Sequence, residues 1–138
     1  LSDLRGHRVV LFMYPKDNTP GCTMEACSFR DNFARIQATG AKVFGLSPDS
    51  MASHAKFRRR HGLPYPLLVD EGAEVAKAYG AWIEKNMFGR KFWGIERSTF
   101  IIDEEGILRK VFRKVRVKGH VDEVLKALAS LAQESPPS

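Results

Sequence analysis

Residues Val9-Val10-Leu11-Phe12-Met13-Tyr14 form an unbroken apolar run that stops at Pro15. A strand with one wet face alternates apolar and polar residues, so a continuous run belongs to a strand buried on both faces. Such a strand lies inside a sheet and needs cover above and below. This requirement constrains the chain more than any other feature and points to an α/β fold.

The rest of the chain supplies the cover. A helix is expected from Pro20 to Thr39, closed by Gly40, and a second apolar strand from Ala41 to Ser47. Ser50 caps a helix ending near His61, with Gly62 just past it. A short strand over Pro66–Asp70 and a short helix over Ala73–Tyr79 follow. Tyr79 to Glu96 mixes aromatic, glycine and charged residues and reads as a loop. Ser98–Ile102 and Ile107–Val117 flank the turn Asp103-Glu104-Glu105-Gly106 and form a hairpin. His120 to Gln133 is a helix with Val121, Val124, Leu125, Leu128 and Leu131 on one face. Early βα units followed by an antiparallel pair give a thioredoxin-like α/β fold, a mixed central sheet flanked by helices. With 138 residues the chain is one domain, 1–133, and the proline-rich tail 134–138 is expected to be disordered. The first residue is not Met, so a processed or trimmed form of a longer chain is expected, and no signal peptide or membrane-length apolar run is visible.

Net charge is +6, from 22 Lys and Arg against 16 Asp and Glu. The cations are spread along the chain, with Arg58-Arg59-Arg60 the one run, and no recognition motif accompanies them. Nucleic-acid binding is therefore not the expected function. His54 and His61 are seven apart around Phe57, but two histidines alone make a poor metal site, so packing or surface roles are expected. Trp82, Met87, Phe88, Phe92 and Trp93 crowd one segment. They fill gaps over the core, line a substrate entrance, or form a docking patch.

Two cysteines, Cys22 and Cys27, are too few for a disulfide framework and suit a reducing compartment, the cytoplasm. Thr19 is a good N-cap and Pro20 a favoured first helical residue, which makes Cys22 the third. That position favours an anion, because the helix amides and dipole converge there. The Thr19 hydroxyl is expected to lie toward the Cys22 amide, and a thiolate should be stabilised at the site. Gly21 leaves room beside it for a small substrate. Cys22, Ala26, Phe29, Phe33 and Ile36 share an apolar face, so the thiol sits where the core stripe meets the helix mouth. In an intact helix the Cys22 and Cys27 Cα atoms would be about 8.6 Å apart and about 140° around the axis. A disulfide needs them within roughly 7 Å with converging Cβ vectors. Either Cys27 is a spectator, or the first turns of the helix unwind.

The stretch Tyr14-Pro15-Lys16-Asp17-Asn18-Thr19-Pro20-Gly21-Cys22-Thr23-Met24-Glu25-Ala26-Cys27 resembles the active-site segment of peroxiredoxins, in particular the peroxiredoxin Q or bacterioferritin-comigratory group. Gly94-Ile95-Glu96-Arg97-Ser98-Thr99-Phe100-Ile101-Ile102-Asp103 also resembles that family, with its arginine at Arg97. The resemblance implies that Cys22 is the peroxidatic nucleophile, that Thr19 and Arg97 hold the peroxide oxygens, and that Pro15 shields the site. Gly21 completes the substrate-binding set. Cys27 would be the resolving thiol, recycled by thioredoxin or a similar dithiol protein, and Glu25 either orients Arg97 or simply suits a first helical turn. Hydrogen peroxide and organic hydroperoxides are the implied substrates, with no metal or organic cofactor, no membrane partner and a monomeric chain. Family members usually carry an N-terminal β-hairpin before the residues matching Leu1, so the fold expected from Leu1 onward is without that hairpin. A thioredoxin-like disulfide oxidoreductase is the enzymatic alternative. It would use Cys-x-x-Cys and a proline before the later strand, where this chain has four residues between its cysteines and Glu96-Arg97-Ser98.

Overall fold

The computed structural model describes residues 6–134, with side chains through residue 131. The apolar run forms β1 (Arg8–Met13), the middle strand of a five-stranded sheet. β1 lies parallel to β2 (Ala41–Ser47), which is parallel to β3 (Leu67–Val69). On its other side β1 pairs antiparallel with β6 (Ser98–Ile102), itself antiparallel to β7 (Leu108–Phe112). The sheet is mixed, and its helices cover both faces, as the thioredoxin-like outline requires.

Pleating explains the unbroken apolar run. Val10, Phe12 and Tyr14 enter one core with residues of α1 (Pro20–Asp31), α3 (Met51–His61) and α5 (His120–Glu134). Val9, Leu11 and Met13 enter the other, against α4 (Glu74–Ala78) and Ala81, Ile95 and Phe100. Adjacent side chains of a strand point to opposite faces, so both sets must be apolar when both faces are covered. Gly45 on β2 makes room for this packing: a Cβ there would lie 2.9 Å from Phe12 Cζ and 2.7 Å from Leu67 Cδ2.

Several boundaries differ from the sequence reading. The long helix expected from Pro20 to Thr39 breaks at Asn32, separating α1 from the short α2 (Phe33–Gln37). Asn32 sits at φ −110°, ψ 12°, and its Nδ2 donates to Ser28 O at 2.9 Å. An asparagine side chain offers the backbone this alternative to helix continuation. The expected loop over Tyr79–Glu96 is instead a second, two-stranded sheet of β4 (Trp82–Met87) and β5 (Arg90–Ile95). Its turn is Phe88-Gly89, with φ of 54° and 76°, the paired positive values of a type I′ hairpin. Phenylalanine at a position usually held by Asn, Asp or Gly concealed that turn. The strand expected to reach Val117 stops at Phe112, because Arg113 donates to Tyr79 O and Gly80 O and Lys114 turns at φ 50°. Finally, α5 extends to Glu134, where the disordered tail was expected to begin; the rest of that expected tail, 135–138, lies outside the described residues.

Candidate active site

The segment after β1 turns through Pro15–Asn18 into α1. Asn18 adopts φ 61°, a left-handed conformation that asparagine tolerates better than most residues. Thr19 then takes the extended N-cap geometry, with Pro20 first in the helix. The expected hydroxyl cap is absent: Thr19 Oγ1 donates to Lys16 O at 2.8 Å, closing the loop on itself. Among the described residues the Gly21 and Cys22 amides consequently have no acceptor, while Thr23 N bonds Thr19 O. The helix mouth presents unpartnered N–H groups beside the thiol, as an anion site requires.

Cys22 is 2% exposed. Arg97, one residue before β6, reaches it across the sheet end: Nη2 donates to Cys22 Sγ at 3.3 Å and Nη1 to Glu25 Oε1 at 2.8 Å. The β4–β5 hairpin delivers this arginine, since Glu96 N continues the ladder to Ala81 O at 2.7 Å. A Cβ on Gly21 would meet Arg97 Nη2 at 3.1 Å, so glycine there admits the guanidinium. Glu25 is buried, and among the described residues its Oε2 accepts no hydrogen bond. Burial pushes its carboxyl up to about 7, against the pull of Arg97. Burial would lower Arg97, but the Glu25 carboxylate and the Cys22 sulfur beside it raise it further. Of the two readings of Glu25, orientation of Arg97 is the one the geometry carries. Lys85 on β4, which the sequence reading missed, is half-buried and held below the usual lysine range by burial and by Arg97.

The remaining sequence candidates lie nearby without polar contact to the thiol. Pro15 and Thr19 are half-buried in the loop. Cys22 and Cys27 are both free thiols, Cys27 half-buried on an unbroken α1. The residue before Cys27 is anchored from outside the helix: the buried Tyr65 hydroxyl donates to Ala26 O at 2.6 Å.

A second network, also unforeseen, fastens the loop. Asp17 Oδ1 accepts from Tyr14 Oη at 2.6 Å, and Oδ2 accepts from Ser53 Oγ at 2.7 Å. His54 Nδ1 lies 2.7 Å from Asp17 Oδ2, and its Nε2 lies 2.9 Å from Leu68 O. Both ring nitrogens face acceptors, so both carry protons and the ring is cationic. Asp17, Asp49 and His54 are close enough to surround a cation, but hydrogen bonds already engage them, Asp49 Oδ2 accepting from Asp17 N at 2.7 Å and from Ser47 Oγ at 2.7 Å. Burial lowers His54, yet the Asp17 carboxylate outweighs it and raises the imidazole. Burial raises Asp17, and His54, Tyr14 and Ser53 outweigh it and lower the carboxyl. The raised His54 contributes fully below about 6.5 and loses its contribution as pH rises through its folded value. The depressed Asp17 contributes fully above about 3.9 and loses its contribution as pH falls through its folded value. Asp17→Asn strands a buried cation and is expected to cost about 3–5 kcal/mol in urea unfolding between those limits. The deficit should shrink in alkali, where His54 is neutral; a pH-independent deficit would contradict a charged pair.

A thioredoxin-like fold with a cysteine at a helix mouth under an arginine defines a thiol-chemistry protein of the thioredoxin-like class. The AhpC/TSA family profile matches residues 1–111. The peroxiredoxin Bcp of Bacillus subtilis is 49% identical over 134 residues, covering 97% of this chain and 85% of that one. The putative peroxiredoxin bcp of Coxiella burnetii is 49% identical over 128 residues, covering 93% and 85%. Among solved structures, the Xanthomonas campestris bacterioferritin comigratory protein superposes with a TM-score of 0.90 at 41% identity, covering 95% of this chain and 83% of that one. The chain belongs to the AhpC/TSA family and, within it, to the peroxiredoxins of the Bcp or peroxiredoxin Q group. It is accordingly a thiol peroxidase, acting on a peroxide with a thiol reductant. Among the described residues no helix is long and apolar enough to cross a membrane.

Proposed function

We propose that the chain is a two-cysteine peroxidase in which Cys22 reduces hydrogen peroxide and organic hydroperoxides and Cys27 resolves the product. The observation that carries this reading is the 3.3 Å contact from Arg97 Nη2 to Cys22 Sγ at the helix mouth. The Cys22 thiolate attacks the distal peroxide oxygen and the O–O bond breaks. The distal oxygen stays on sulfur as a sulfenic acid, and the leaving oxygen departs with its electron pair and takes up a proton. Negative charge therefore moves from sulfur to the leaving oxygen, and a guanidinium and free amides suit both ends of that path. Thr19 and Gly21 bound the space for the peroxide, and Pro15 shields it. Cys27 then attacks the Cys22 sulfur, releasing water and forming a disulfide. Thioredoxin or a similar dithiol protein reduces that bond, and the chain works as a monomer in the cytoplasm.

Peroxide consumption followed with thioredoxin as electron source tests the reading. Catalytic turnover is expected, with one disulfide formed per peroxide; no turnover despite intact free thiols would overturn it.

Arg97→Met tests the cation itself. Losing a hydrogen bond to a charged group is expected to slow peroxide attack by roughly 10- to 100-fold. The check is a stopped-flow measurement of the oxidative step alone. A rate equal to that of the parent protein would make Arg97 structural.

A further inference from the structure

The positive charge expected to be spread along the chain includes one dense segment, with Lys110, Arg113, Lys114, Arg116 and Lys118 inside residues 110–118. Between the end of β7 and the start of α5 lies a cleft of about 590 Å³, edged by Lys110, Arg113, Lys114, Arg116 and Lys118. Val115 and Val117 are half-buried, whereas Arg116 and Lys118 are exposed. The segment is held in place: Val115 N donates to Arg97 O at 3.0 Å, and the Arg113 guanidinium donates to Tyr79 O and Gly80 O. Lys114, Arg116 and Lys118 make no ion pair among the described residues. Among the described residues Glu123 is the single acidic side chain lining the cleft, and its carboxylate lies 3.2 Å from His120 Nδ1.

One residue links the cleft to the thiol. Arg97 connects them, its guanidinium meeting Cys22 and its carbonyl accepting from Val115. A cationic rim beside a redox centre attracts an acidic partner and orients its approach. We propose that this cleft docks an acidic dithiol protein, the reductant of the Cys22–Cys27 disulfide, an inference that rests on the two-cysteine reading above. One thiolate of the partner attacks the disulfide and forms a mixed disulfide, expelling the other cysteine as a thiolate. The partner's second thiol then displaces the first. Two electrons and two protons pass to Cys22 and Cys27, and the partner leaves as its own disulfide. Nucleic acid would meet the same cations but find no stacking surface. Phe112, the aromatic ring of the cleft, is covered by Lys110 Nζ at 5.4 Å and packs edge-on against His120 at 5.1 Å.

The test is the triple variant Lys114→Glu, Arg116→Glu, Lys118→Glu, compared with the parent protein in stopped-flow reduction of the oxidised chain. With a thioredoxin of negative net charge at low ionic strength, the second-order rate is expected to fall by about tenfold or more. The two proteins should converge near 1 M salt, where the Debye length is about 3 Å. Reduction by uncharged dithiothreitol, and oxidation by peroxide, should be the same in both, which also shows that the variant is folded. An unchanged thioredoxin rate alongside normal dithiothreitol reduction would overturn the docking site alone. Failure of the parent protein to form or reduce a disulfide with either reductant would overturn the two-cysteine reading beneath it. Parent-protein binding of a labelled single-stranded oligonucleotide that the variant loses, with the thioredoxin rate unaffected, would reassign the cleft to nucleic acid.

Discussion

Peroxide turnover is expected to vanish in Cys22→Ser while the fold survives. Serine is nearly the same size, and its oxygen can accept the Arg97 Nη2 hydrogen bond that the sulfur now takes. The packing of Cys22 against the helix stripe and the sheet should change little, so thermal unfolding should shift only slightly. Chemistry is another matter. A serine hydroxyl is not ionised near neutrality and is a poor nucleophile without an adjacent base. Every group placed to stabilise charge would still be present, with no nucleophile to use it. The measurement is peroxide loss at enzyme concentrations sufficient to detect a residual rate about four orders of magnitude below the parent's. Substantial turnover by a folded variant would remove Cys22 from the mechanism.

Oxidation is expected to melt the start of α1, and Cys27→Ser to prevent it. The reduced chain carries both thiols on one continuous helix, Pro20–Asp31. Five helical residues separate the Cα atoms by about 8.6 Å and point the side chains apart, beyond the reach of a disulfide. Forming the bond therefore requires at least one cysteine to leave the helix. The helix mouth can yield because its first amides are not yet tied into the ladder. The Tyr65 hydroxyl opposes the change by holding Ala26 O, one residue before Cys27. Tyr65→Phe removes about 1 kcal/mol of that restraint and should speed disulfide formation severalfold. Cys27→Ser should keep α1 intact, accumulate sulfenic acid on Cys22 and fail to recycle with thioredoxin, while the first turnover persists. Hydrogen exchange of amides 22–31 in both redox states reads the change directly. Equal protection in a chain whose Cys22–Cys27 bond is confirmed by mass would sink the unwinding mechanism.

Legibility followed the range of the interactions. Thr19, Pro20, Gly21 and Cys22 could be placed at a helix mouth because capping is local, decided by residues within one turn. The hydroxyl of Thr19 could not, since its bond to Lys16 O depends on how the preceding loop closes. Arg97 was picked out by likeness to a family motif; nothing in its neighbours says that it reaches across 75 positions to Cys22. The hairpin that delivers it was hidden by Phe88 in a left-handed turn position. Asp17 and His54 looked like a loop acid and a packing histidine, and only the approach of α3 makes them a buried pair.

The sequence alone determined the architecture and the place of the proposed nucleophile. An apolar run with no polar alternation must be covered on both faces, and a cysteine third in a proline-started helix must sit at the helix mouth. Both follow from local backbone geometry; that the amides there stay free also needs the Thr19 hydroxyl to turn to Lys16 O. The tertiary structure decided what surrounds that thiol: Arg97 and Glu25 on one side, the Asp17–His54 pair under the loop, the Tyr65 anchor on α1 and the basic cleft beyond Arg97. The first three bring together charges or polar groups far apart in the chain, and the Val115–Arg97 bond ties the basic segment Lys110–Lys118 to Arg97. Their energies depend on distance and burial, and those quantities exist only once the sheet has closed.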